Sequence, residues 1–143
     1  MSKVAVVYWS GTGNTESMAA QVASGAKEAG AEVDLLTAGE FGPDQMDLYD
    51  AVAFGCPSMG AEQLEETEFE PMFQSCEGKL AGKKLGLFGS YGWGDGQWMR
   101  DWEDRMKAAG AVIVGREGVT AQEAPDADAI EACKALGREL AAV

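Results

Sequence analysis

The sequence predicts a doubly wound α/β domain: a five-stranded parallel sheet in spatial order 2-1-3-4-5, forming the middle of three layers with helices on both faces. Short β-branched or aliphatic runs recur at Lys3 to Tyr8, Glu32 to Leu36, Ala51 to Gly55, Lys84 to Gly89 and Ala111 to Gly115, with mostly helical segments between them. Within those runs apolar and polar residues hardly alternate, as expected of strands covered on both faces. A chain of 143 residues, 46% hydrophobic, suits a single domain over 1–143 with one buried core.

The elements follow in order. The run Val4 to Trp9 leads into Ser10-Gly11-Thr12-Gly13-Asn14-Thr15, after which a helix is expected from near Glu16, with Met18, Val22 and Ala26 on one face and Gly30 at its end. The connection Ala38 to Asp50 is the least regular, although Asp44 to Tyr49 suits one helical turn. After the fourth run, Trp98 and Trp102 lie one turn apart in a helix closed by Gly110, and their spacing favours packing. Ile130, Cys133, Leu136 and Leu140 mark the apolar stripe of a last helix. In this topology ligands bind beyond the carboxyl ends of strands 1 and 3, which nominates the loops Ser10 to Thr15, Cys56 to Glu66 and Ser90 to Gln97.

Charge and cysteine usage narrow the function. The 24 acidic and 11 basic side chains give a net −13, which argues against nucleic acid or anionic membrane and favours a basic protein partner. Cys56, Cys76 and Cys133 are unclustered and the chain has no histidine, so neither a metal site nor a disulfide framework is expected, and a reducing cytoplasm is the default. Each thiol reads as a small core residue. No run approaches the ~18 apolar residues of a membrane span.

The first loop reads as a phosphate cradle. A strand turning sharply into a helix aims backbone N–H groups at the turn, Ser10, Thr12, Asn14 and Thr15 add uncharged donors, and Gly11 and Gly13 allow close approach. It lacks the GK[ST] of a nucleoside-triphosphate loop, and Glu16 stands where a dinucleotide fingerprint has a third glycine, so a terminal phosphate on a mononucleotide fits best. The same residues also suit an ordinary helix cap. In Ser90-Tyr91-Gly92-Trp93-Gly94, two aromatic rings in a glycine-rich loop suit stacking on a planar heterocycle, with packing as the alternative. Trp9 suits packing beside the first turn. Ser58-Met59-Gly60-Ala61-Glu62 offers a polarizable side chain followed by a tight turn, and would wall the opposite face of such a ring or form a plain surface turn.

Four segments together resemble the flavodoxin family, in its short-chain clostridial form: VVYWSGTGNTE at Val6 to Glu16, GCPSMG at Gly55 to Gly60, LEETEFEP at Leu64 to Pro71, and LFGSYGWGDG at Leu87 to Gly96. The resemblance implies a flavodoxin-like fold and one non-covalent FMN, with its phosphate on Ser10, Gly11, Thr12, Gly13, Asn14 and Thr15 and its isoalloxazine between Met59 and Trp93. It also implies that the Gly60 carbonyl turns to accept from the flavin N5–H on one-electron reduction, that Glu62 accepts from N3–H, and that Ser90 to Gly94 close around ring and ribityl chain. Pro57 replaces a serine that offers a phosphate contact in some members, and Ala61 stands where others carry aspartate, serine, asparagine or glycine. The implied role is a monomeric, low-potential, one-electron carrier that cycles mainly between semiquinone and hydroquinone and serves basic-patched redox proteins such as reductases and ferredoxin-linked enzymes. An FMN-dependent quinone or nitro-group reductase on the same fold is the alternative; it needs a substrate pocket that no insertion in this chain provides.

Two residue-level expectations bear on the potential. Glu62, Glu65, Glu66, Glu68 and Glu70 place five carboxylates in nine residues. At an effective dielectric near 20, a carboxylate about 12 Å from an anionic flavin raises its energy by roughly 1.4 kcal/mol, about 60 mV for one electron before screening. The same glutamates also suit the start of a helix. A turned Gly60 peptide moves the demand for positive φ onto Ala61, at about 1–2 kcal/mol. Ala61→Gly is therefore expected to raise the oxidised-to-semiquinone potential by about 40–90 mV in potentiometry.

Overall fold

The computed structural model describes residues 2–59, 63–92, 94–115 and 117–142. Strands β1 (Lys3–Tyr8), β2 (Glu32–Thr37), β3 (Ala51–Gly55), β4 (Lys84–Tyr91), β5 (Val112–Ile113) and β6 (Val119–Gln122) form one sheet. All of its ladders are parallel, in the order β2-β1-β3-β4, with β5 and β6 both pairing with β4. Helices α1 (Asn14–Glu28), α2 (Pro43–Met46), α3 (Phe69–Cys76), α4 (Gln97–Ala108) and α5 (Ala127–Ala141) cover the two faces. This is the doubly wound order 2-1-3-4-5, with two corrections.

The first correction concerns the fifth strand. The expected run Ala111 to Gly115 keeps its pairing only at Val112 and Ile113, opposite Lys84 and Leu85. Gly115 then turns at φ 85° and the chain leaves the sheet. It returns as β6, which pairs Phe88–Tyr91 with Val119–Gln122. At the return, Gly118 donates its N–H to Glu103 Oε2 and lies so close to Met99 that a Cβ would fall 2.3 Å from the sulfur. The second correction is that β4 runs on through Ser90 and Tyr91, so these residues are strand, held by that β6 pairing, and the connecting loop starts only after them.

Strand alternation explains the continuous apolar runs. Val4 and Val6 point to the face covered by α1 and α5, among Met18, Val22, Cys133, Leu136 and Leu140. Ala5 and Val7 point the other way, toward α3 and α4. On that side Phe54 meets Phe41, Phe69 and Phe73 edge-on at centroid distances of 6.0, 6.4 and 5.3 Å, and Trp102 closes edge-on over Phe69 and Phe73. Trp98 and Trp102 are thus core, as their spacing predicts, and all three cysteine thiols are buried.

Helix ends match their sequence signals. Gly30 and Gly110, at φ 93° and 88°, close α1 and α4 in Schellman turns: Gly30 and Ala31 donate to the carbonyls of Lys27 and Ala26, and Gly110 and Ala111 to those of Lys107 and Met106. Helix α1 begins two residues earlier than expected, at Asn14, because Gly13 adopts φ 94° and serves as the N-cap. Three backbone bonds continue the parallel pairing past the strand ends: Trp9 N–H to Gly55 O, Cys56 N–H to Phe88 O, and Ser58 N–H to Ser90 O, all 3.0–3.1 Å. These bonds bring the nominated loops side by side.

Candidate functional site

One cleft opens at the carboxyl ends of β1, β3, β4 and β6, where Gly11, Thr12, Asn14, Ser58, Met59, Ser90, Tyr91 and Gly92 come together. Ser10, Gly13, Thr15 and Gly94 belong to the same segments but do not line it. Gly60, Ala61, Glu62 and Trp93 lie outside the described residues. Trp9, Pro57 and Glu123 complete the walls. The Trp9 ring packs on Gly11, where a Cβ would lie 3.0 Å from its far edge.

The cradle owes its shape to two internal bonds. Ser10 Oγ accepts the Gly13 N–H at 3.1 Å, and the first intrahelical bond runs from Ser17 N–H to Gly13 O. No side chain caps α1, so its first-turn N–H groups are left for a ligand. Buried Thr15 turns its hydroxyl inward to Ser90 Oγ at 3.1 Å and accepts the Ser90 N–H at 3.3 Å, which ties the first turn of α1 to the end of β4. Thr15→Val strips the buried Ser90 hydroxyl of this partner. It is expected to cost about 1–3 kcal/mol in urea unfolding, with Thr15→Ser close to wild type.

The loop after β3 is held from three sides. Met59 and Gln63 exchange two backbone bonds of 2.8 and 2.9 Å. Trp98 Nε1–H donates to Cys56 O at 3.2 Å, and Tyr91 leans on the Trp98 ring at 5.5 Å. Cys56 Sγ accepts the Glu65 N–H at 3.3 Å. Burial pushes the Cys56 thiol pKa well above its ordinary value, so it stays a neutral packing group.

Glu65 is the least expected member of the acidic stretch. It is buried, and its carboxylate accepts the N–H groups of Thr67, Glu68 and Phe69 as well as the Thr67 hydroxyl. Burial opposes ionisation, but the Thr67 hydroxyl and those three N–H groups outweigh it, so the pKa lies below the ordinary carboxylate value. The stretch also has less uncompensated charge than its sequence implies. Arg105 reaches across from α4 to bond Glu70 at 2.6–2.7 Å and Glu77 at 2.7–3.1 Å while lying over the Phe73 ring, and Arg100 pairs with Asp95 at 3.2 Å. Glu66 and Glu68 remain exposed. Both arginines come from a helix distant in sequence from the β3 loop, and no count within the three loops reveals them.

Chemically, one end of the cleft offers neutral hydroxyls, an amide and a helix start suited to an anion. The other offers the thioether of Met59 and the ring of Tyr91, suited to a planar apolar group, and exposed carboxylates stand nearby. Met59, on this wall, is 39% exposed.

Known proteins resemble this chain over nearly its whole length. The flavodoxin family profile matches residues 6–137. The chain is 46% identical to a flavodoxin from Clostridium beijerinckii over 136 residues, covering 95% of this chain and 97% of the relative. It is also 46% identical to a flavodoxin from Megasphaera elsdenii over 138 residues, covering 96% and 98%. The solution structure of the two-electron-reduced Megasphaera elsdenii flavodoxin superposes with a TM-score of 0.87, over 98% of this chain and 99% of that one.

Proposed function

The chain belongs to the flavodoxin family, and from that premise we propose that it is a low-potential one-electron carrier holding one non-covalent FMN. The observation that carries this reading is the single cleft in which an uncharged anion cradle and apolar walls meet at the carboxyl ends of β1, β3 and β4. Ser10 to Thr15 hold the phosphate, with the uncapped start of α1 behind it. Ser58, Met59, Gly60, Ala61 and Glu62 take one side of the ring, and Ser90, Tyr91, Gly92, Trp93 and Gly94 take the other. When bound, FMN supplies the one-electron chemistry. The protein excludes water from the ring faces and surrounds them with carboxylates, which disfavours the anionic, fully reduced cofactor and makes it a strong donor.

The working couple is then the one between the one-electron and fully reduced states. Such a carrier is cytoplasmic and monomeric and needs no catalytic residue. The acidic surface near the cleft suits basic-patched redox partners, reductases and ferredoxin-linked enzymes among them. Among the described residues, no helix is long and apolar enough to cross a membrane. The test is a titration of the apoprotein with FMN followed by flavin fluorescence, then an assay for NAD(P)H oxidation. Tight quenching with no substrate-dependent NAD(P)H oxidation by the isolated chain is the expected result. Turnover of NAD(P)H with quinones or nitro compounds indicates a reductase instead.

A further inference from the structure

Past Gly55 the chain loses its ordinary hold on both neighbouring strands. On the β1 side Trp9 N–H still reaches Gly55 O at 3.0 Å, but the next bond of a parallel ladder needs an N–H at position 57, and Pro57 has none. On the β4 side Cys56 N–H donates to Phe88 O at 3.1 Å and Ser58 N–H to Ser90 O at 3.0 Å. A regular ladder puts Ser90 N–H on Cys56 O between those two bonds. Here both groups turn to side chains instead, one from each face of the sheet. Ser90 N–H goes to Thr15 Oγ1 on α1 at 3.3 Å, and Cys56 O accepts the Nε1–H of buried Trp98 on α4 at 3.2 Å. Gly89 makes the second contact possible: a Cβ there would lie 2.2 Å from Cys56 O and 3.1 Å from Trp98 Cζ2, on the N–H side of the indole.

We propose that Trp98 is a positioning residue for the flavin ring: by holding the Cys56 carbonyl it fixes the direction in which Pro57, Ser58 and Met59 leave β3 and face the cleft. The assignment rests on the FMN reading above and deepens it. Pro57, Ser58 and Met59 line the cleft, and so does Tyr91, whose ring leans on the Trp98 ring at 5.5 Å. One indole thus braces both walls from behind, the first by its N–H and the second by its ring. A wall segment freed from such a bond has to be ordered when the ligand binds, at a cost in affinity. Trp102 is the internal comparison. It lies one turn further along α4, is as buried as Trp98, and its Nε1 has no hydrogen-bond partner among the described residues.

The test titrates apoprotein with FMN and with riboflavin, which keeps ring and sugar chain but lacks the phosphate. Wild type is compared with Trp98→Phe, Trp102→Phe and Trp98→3-benzothienylalanine, the last of which keeps the bicyclic shape and carries sulfur in place of the N–H. Both changes at position 98 are expected to weaken the two flavins by the same factor, about tenfold, because the phosphate cradle is untouched. Trp102→Phe is expected to lower the thermal midpoint of the apoprotein while binding both flavins within about twofold of wild type. Where Trp98→Phe does not fold, the benzothienyl protein decides the case. A benzothienyl protein that binds both flavins as wild type does overturns the assignment and leaves the FMN reading intact. So does a loss that Trp102→Phe shares, or one confined to FMN. Wild-type apoprotein that leaves FMN free overturns both.

Discussion

Gly89→Ala is expected to lower the thermal midpoint of the apoprotein by about 10 °C and to weaken FMN binding by an order of magnitude or more. A Cβ on Gly89 would sit 2.2 Å from Cys56 O and 3.1 Å from the Trp98 ring. Backbone stands on one side and a buried indole on the other, so neither can yield without parting β3 from β4. Overpacking of this kind costs about 1–3 kcal/mol and more where backbone must move, and for a domain of this size about 3 kcal/mol corresponds to the shift given. The binding loss has the same origin. The displaced Cys56 and Ser90 carry the two loops that face each other across the cleft, and Ser58 N–H to Ser90 O is one of the bonds that spaces them. Gly78→Ala serves as the control: its Cβ meets nothing within 4 Å, and stability is expected to stay within about 0.5 kcal/mol. Calorimetry of the three proteins, with flavin titration, checks all of this.

Glu65→Ala is expected to cost about 3 kcal/mol in chemical denaturation. The side chain does the work of a helix cap from outside the helix: Thr67, Glu68 and Phe69 give their N–H groups to it, and the alanine variant leaves these donors, the buried Phe69 N–H among them, without this partner. Glu65→Gln keeps a neutral acceptor and is expected to lose about half as much. The pH dependence follows in sign. The folded pKa is depressed below the ordinary 4.5, so the stabilisation is complete above the unfolded value and disappears as pH falls through the folded one. Wild type should therefore lose stability below about pH 4.5 more steeply than Glu65→Ala, in denaturation curves collected across that range.

Local sequence carried most of the architecture because each strand is a short apolar run with turn chemistry at its carboxyl end. β1 and β3 begin and end where their apolar runs do, and Gly30 and Gly110 stop their helices by a mechanism that needs no tertiary context. What local pattern could not show depends on distant partners. The gap between β5 and β6 arises where Gly118 seats on Met99 of α4, and the neutralisation of Glu70 comes from Arg105 on the same helix. Glu65 reads as one more solvent glutamate until the chain folds its carboxylate under α3. Nothing local to Thr15 shows that its hydroxyl meets Ser90, a residue remote in sequence. Glu123 had a weak signal, the Ala124-Pro125 restriction, but nothing local announces that a carboxylate there borders the cleft.

An anaerobic dithionite titration of the FMN-loaded protein, followed by absorbance against reference dyes, decides whether the chain steers FMN through single electrons at low potential. Two resolved steps are expected: a one-electron-reduced flavin that accumulates to most of the total, then a second reduction at a potential well below that of free FMN. A single two-electron step near the potential of the free cofactor would refute a low-potential one-electron carrier.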